Sequence, residues 1–114
     1  MTVQQLLNKA RENGKKKNYE NYLEICDGDV EEAKEWIEHE KLNGCYQRDE
    51  EHEIAESILD LIRTIKNTSL MTKEEKEAVV DEIRKCEEYQ RLEKRVAMAF
   101  ANHFYKYRDV YLKV

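Results

Sequence analysis

A chain of 114 residues carrying 25 acidic and 20 basic side chains, formal net charge −5, has the size of one domain, which excludes two large independent domains and allows one modest core. Proline is absent, glycine is confined to Gly14, Gly28 and Gly44, and Glu, Lys and Leu are the commonest residues; such a composition favours helix almost everywhere. The 39% charged fraction would suit disorder, but 40% of the residues are apolar and recur at helical intervals, which disordered chains lack.

No apolar run reaches the roughly 18 to 20 residues that span a bilayer, and the first residues show no signal-peptide pattern, so a cytoplasmic protein is expected. Cys26, Cys45 and Cys86 form no Cys-x-x-Cys pair, which predicts reduced thiols, not a disulfide framework or zinc ribbon. The charge is unevenly spread. Residues 1–19 hold five basic and one acidic side chain, residues 20–60 three basic and fifteen acidic, and residues 61–114 twelve basic and nine acidic.

Thr2 and Gln5 have capping-box spacing and open a first helix with Val3, Leu6, Leu7 and Ala10 on one face, for which Asn13-Gly14 supplies a stop. After a basic loop, Lys15-Lys16-Lys17, a second short helix carries Tyr19, Tyr22, Leu23 and Cys26, and Asp27-Gly28 ends it. Asp29, with Glu32 three residues on, caps a third whose stripe is Val30, Ala33, Trp36 and Ile37, ending at Asn43-Gly44. Residues 1–44 are thus expected to form a three-helix unit, with Trp36 packed against Leu7 and Leu23.

The stretch from Tyr22 to Ile37, with Leu23, the Asp27-Gly28-Asp29 turn and then Val30, Ala33, Trp36 and Ile37, resembles the second and third helices of ubiquitin-associated (UBA) domains. The resemblance covers roughly residues 3–42 and implies a UBA-like three-helix bundle. It does not imply ubiquitin binding, because the loop after the first helix reads Gly14-Lys15-Lys16-Lys17-Asn18 and lacks the family's Met-Gly-Phe or Met-Gly-Tyr.

Residues 45–49 read as a polar linker. A helix from about Glu50 to Lys66 follows, with Ile54, Ile58, Leu61, Ile62 and Ile65 on one face. Thr72 and Glu75 make a second capping box, and no glycine or proline occurs from Lys73 onward, so a long C-terminal helix is expected, bearing Val79, Ile83, Cys86, Val96, Phe100, Phe104, Tyr107 and Tyr111. The fold class is all-α: a UBA-like three-helix bundle followed, over residues 50–114, by a helical hairpin.

No catalytic constellation emerges. Glu51-His52-Glu53-Ile54-Ala55-Glu56 begins like a zinc-protease helix, but position 56 is Glu where a second histidine is needed. His39, Cys45 and His52 lack a fourth ligand, and Asp27-Gly28-Asp29 is explained as a turn and cap. No enzyme activity, metal or cofactor is expected. The expected function is a protein-binding module that docks on a larger macromolecular machine with a basic surface and modulates it. Its expected contacts are Glu31, Glu35 and Glu38 in the acidic block and Arg95, Phe100, Phe104, Tyr107, Arg108 and Tyr111 in the C-terminal segment. Small size and an acidic surface are also features of phage or mobile-element inhibitors of host defence, such as anti-CRISPR factors. The alternative is a nucleic-acid-associated regulator using Lys15, Lys16, Lys17 and the basic-aromatic C-terminal helix. The aromatic strip from Val96 to Tyr111 further predicts a homodimer.

Overall fold

The computed structural model describes residues 2–87, 89 and 90. They form four α-helices: α1 (Val3–Ile25), α2 (Val30–Leu42), α3 (Cys45–Asn67) and α4 (Lys73–Lys85). No strand occurs among the described residues, so the architecture is all-α.

The Thr2 capping box forms as expected: the Gln5 amide donates to Thr2 Oγ1 at 3.1 Å, and the Thr2 amide to Gln5 Oε1 at 2.8 Å. The stop expected at Asn13-Gly14 does not. α1 runs through both residues, and the lysines expected in a loop are helical. The reason lies in the buried stripe Val3, Leu7, Ala10, Gly14, Asn18 and Tyr22, whose steps of three and four residues keep one face inward. Gly14 is the point of closest approach on that face. A Cβ there would lie 2.6 Å from the Ile54 Cα and 2.7 Å from its backbone nitrogen, so α1 and α3 cross backbone to backbone. Glycine normally weakens a helix by about 1 kcal/mol relative to alanine. Here the missing side chain lets the helices meet.

The end expected at Asp27-Gly28 is present. The Gly28 amide donates to the Leu23 carbonyl at 2.9 Å and the Asp27 amide to the Glu24 carbonyl at 3.0 Å, the pair of bonds that closes a Schellman motif. Asp27 and Gly28 both take positive φ, 53° and 82°. Asp29 then caps α2, its Oδ1 accepting from the Glu32 amide at 3.1 Å. Only Ala33 and Ile37 of α2 are buried. Trp36 is 45% exposed, which corrects its expected packing against Leu7 and Leu23. On a helix of 3.6 residues per turn it sits about 100° from Ile37, at the edge of the stripe, and Ala33 and Ile37 alone fill the inward position.

Residues 45–49 are the first turn of α3 and not a linker. Gly44 reverses the chain with φ 79°, and Asn43 Oδ1 accepts from the Cys45 amide at 3.0 Å. The main core joins Val3, Leu7 and Ala10 of α1 to Ile54, Ile58, Ile62 and Ile65 of α3 and to Val80 and Ile83 of α4. It therefore draws on residues from both sides of the expected linker.

α4 opens on the second capping box, with Glu75 and Thr72 exchanging two bonds of 3.2 Å. It ends at Lys85, because Cys86 is extended (ψ 140°), so the long helix expected from Lys73 is interrupted there, ahead of the Gln90-Arg91 and Asn102 positions at which the sequence allows a break. The Gln90 amide donates to the Cys86 carbonyl at 3.1 Å, restarting helical bonding. The break lets Cys86 and Tyr89 both pack on the core. No helix among the described residues is long and apolar enough to cross a membrane.

The crossing makes a prediction in which two effects oppose. Gly14→Ala gains about 1 kcal/mol of helix propensity but drives a methyl into backbone that cannot rotate away, and overpacking of that kind costs about 1 to 3 kcal/mol. Urea denaturation should give a net loss of stability; a gain would mean that the helices do not touch at Gly14.

Candidate functional site

Beyond Gly14 the α1–α3 seam turns polar. Asn18 is buried, and its Nδ2 donates to the Tyr46 carbonyl at 3.3 Å. Asn21 Nδ2 donates to Glu53 Oε1 at 3.1 Å, and the Tyr22 hydroxyl to Asp49 Oδ2 at 2.7 Å. The Tyr22 ring lies 5.2 Å from that of Tyr46, over which Lys41 Nζ sits at 5.3 Å. Each α1 side chain thus holds a group of the first turns of α3.

Where α2 leans on this seam, a cleft of about 240 Å³ opens, walled by Tyr22 and Ile25 of α1, Trp36 and Glu40 of α2, and Asp49 and Glu53 of α3. Ile25 and Trp36 are exposed, 68% and 45%. No lysine or arginine lines the cleft. His52 does, but its Nε2 lies 3.1 Å from Glu56 Oε1, so its charge, when present, is directed to that carboxylate.

The environment shifts two of these groups. Burial first, then the hydrogen bond and charge of Asp49, push the Tyr22 phenol up, so it stays a neutral donor. Burial also raises the Glu53 carboxyl, helped by the negative charge of Glu56; His52, the Asn21 hydrogen bond and Lys17 pull the other way. Outside the cleft, burial and then the carboxylates of Glu32, Asp29 and Asp27 raise the Cys26 thiol, which keeps it a packed, unreactive group.

The expected contact residues fall in three places. Glu31, Glu35 and Glu38 are exposed on α2; spaced four and three residues apart, they share the face opposite Ala33 and Ile37. Lys15, Lys16 and Lys17 do not make a basic loop. As successive helical residues they point in directions about 100° apart, and two are engaged, Lys15 with Glu12 and Lys16 with Glu20, each at 4.0 Å. Arg95, Phe100, Phe104, Tyr107, Arg108 and Tyr111, with the dimer strip they were to form, lie outside the described residues.

A larger groove, about 580 Å³, runs between α1 and α3, lined by Lys9, Lys16, Lys17 and the Glu20 that pairs with Lys16 on one side and by Glu53, Glu56 and Asp60 on the other. Its walls carry opposite charges that complement each other. The smaller cleft has one sign of charge and an exposed aromatic wall, which makes it the more selective surface. The sequence pattern hides it, because polarity assigns Asp49 to a linker and the helical stripe assigns Trp36 to the core. The signal is Trp36 beside Ile37: the two point about 100° apart, so when Ala33 and Ile37 centre the inward face, Trp36 falls at its rim.

Comparison with protein-family models, curated proteins and solved structures finds no match to this chain. The site is therefore read from its own chemistry.

Two measurements check this geometry. Trp36 is the sole tryptophan, so its emission should be that of a partly hydrated indole, and caesium should quench it better than iodide, relative to free tryptophan amide, because the nearby carboxylates concentrate cations. Equal or better quenching by iodide would contradict an acidic surround. Trp36→Ala should cost roughly 1 to 2 kcal/mol, below the 3 to 5 of a fully buried aromatic.

The raised Glu53 carboxyl gives a pH dependence of definite sign. Above its folded pKa, Glu53 is ionised in both folded and unfolded chains and its burial costs stability. As pH falls through the raised value the folded chain takes up the proton first, and below the ordinary carboxyl range the cost is gone. Glu53→Gln keeps an acceptor for Asn21. It should raise the melting temperature at pH 7, and the gain should shrink to nothing in acid; a gain independent of pH would assign the effect to packing.

Proposed function

We propose that this chain is a non-enzymatic protein-binding module whose acidic α2–α3 flank docks on a basic surface of a larger partner and modulates it. One observation carries the reading. Glu31, Glu35 and Glu38 are exposed on one face of α2, and none of them is in an ion pair among the described residues. On the inward side of the same helix, the cleft brings Glu40 together with Asp49 and Glu53 without a lysine or arginine. Unpaired like charges repel one another and contribute little to folding. They become favourable when a surface of opposite charge arrives, raising both association rate and selectivity. A carboxylate face of this kind also suits an inhibitor, of phage or mobile-element origin, that occupies a groove its partner offers to nucleic-acid phosphates.

The test is affinity capture with the full chain as bait beside a variant carrying Glu31→Lys, Glu35→Lys and Glu38→Lys. All three positions are solvent-exposed, so the helical circular dichroism should be unchanged. The wild type should retain a partner with a basic surface, in a manner weakened by salt, and the triple variant should lose it. Full capture by the variant would remove α2 from the interface.

A further inference from the structure

We infer that the cleft between α1, α2 and α3 receives an arginine side chain of the partner, its guanidinium laid on the Trp36 indole and hydrogen-bonded to Asp49 and Glu53. The inference rests on the reading of the chain as a module for a basic partner and names the chemistry by which one partner residue is held. Size is the first argument. At about 240 Å³ the cleft falls below the roughly 300 to 1,000 Å³ of sites for cofactors and drug-sized molecules, and it suits a single long side chain.

The second argument is the state of the two carboxylates. Tyr22 donates to Asp49 Oδ2 and Asn21 to Glu53 Oε1, which fixes both groups. The other oxygen of each meets no protein donor among the described residues. Asp49 and Glu53 are four residues apart on α3, so they are neighbours on one face, with Cβ atoms about 5 to 6 Å apart. A planar donor with several N–H groups spans two such acceptors, whereas an ammonium is a point charge that satisfies one well.

The third argument is the wall. An exposed indole beside carboxylates attracts a cation to its face, and arginine most of all because its plane can stack. Ile25, also exposed, offers apolar surface to the methylene stem. Anionic ligands such as phosphates are repelled by Glu40, Asp49 and Glu53 together. The cost of holding Glu53 partly buried near Glu56 is what a cation in the cleft relieves.

Trp36 reports the test directly. The full chain is titrated at low ionic strength with acetyl-Gly-Arg-Gly-amide and with the peptides in which lysine or citrulline replaces arginine, following Trp36 fluorescence and amide NMR shifts. A saturable change is expected with arginine, a weaker one with lysine and none with the neutral citrulline. Asp49→Asn and Glu53→Gln leave acceptors for Tyr22 and Asn21, so both should fold with unchanged circular dichroism. Each should weaken arginine binding about tenfold, the loss expected when one charge-assisted hydrogen bond becomes neutral. The Glu31, Glu35, Glu38 triple variant should still bind the peptide through the cleft even where it no longer captures the partner, which separates the two readings. No saturable change, equal binding of arginine and lysine, or undiminished binding by both cleft variants overturns the inference and leaves the α2 face as the test of function.

Discussion

The structure depends on one close approach. With Gly14 against the Ile54 backbone, α1 and α3 are fixed at a distance that only a residue without a side chain allows, and everything on either side of that point is set by it. Toward the N-terminus of α1 the seam opens enough for the aliphatic core of Val3, Leu7 and Ala10 against the α3 isoleucines, with Val80 and Ile83 closing the third side. Toward its C-terminus the same helices are still near, but the side chains are Asn18, Asn21 and Tyr22. These find a carbonyl and two carboxylates instead of methyl groups.

A seam half apolar and half polar divides its labour. The apolar half supplies burial at about 25 cal/mol per Å² and is indifferent to small rotations of the side chains. The polar half contributes less net stability, since each hydrogen bond replaces one to water and is worth about 1 kcal/mol. Its geometry is more exacting. Asn18, 1% exposed, must meet the Tyr46 carbonyl or pay for an unsatisfied buried amide, which fixes the register of the first turns of α3. Asp49 and Glu53 are thereby positioned by the chain's own donors before any ligand arrives, which lowers the ordering cost of binding.

Helix content, the caps at Thr2, Asp29 and Thr72 and the turns at Asp27-Gly28 and Asn43-Gly44 were legible in the sequence because each depends on residues within one turn of one another. The continuity of α1 was not. Gly14 after Asn13 has the local look of a helix end, and only a partner more than thirty residues away in sequence turns it into a packing residue. The spacing of Ala10, Gly14, Asn18 and Tyr22 held the clue, but two of those are not apolar and drop out of a hydrophobic pattern. Residues 45–49 failed for the same reason: their polarity suggested a linker, while their partners Asn18 and Tyr22 lie on another helix. The break at Cys86 has no glycine or proline to announce it. Of the candidate site, the carboxylates on α2 could be read from charge alone, but the cleft needed Trp36 to be seen outside the core.

The placement of α2 connects these points. It is held by two buried residues, Ala33 and Ile37, whereas α1, α3 and α4 share the larger core. Local stability follows the number of buried apolar contacts, so α2 is the less firmly held wall and the α1–α3 seam the firm one. The cleft accordingly has a fixed side, where Asp49 and Glu53 are held by Tyr22 and Asn21, and an adjustable side, where Trp36 stands at the edge of its helix. A charged planar group requires the first for directed hydrogen bonds and benefits from the second for close contact with the ring. Glu40, Asp49 and Glu53 repel one another across the cleft, and on the proposed reading a guanidinium between the walls reverses the sign of that contribution. On that reading, charge that is a liability in the free chain would be the means of fastening α2 in the complex.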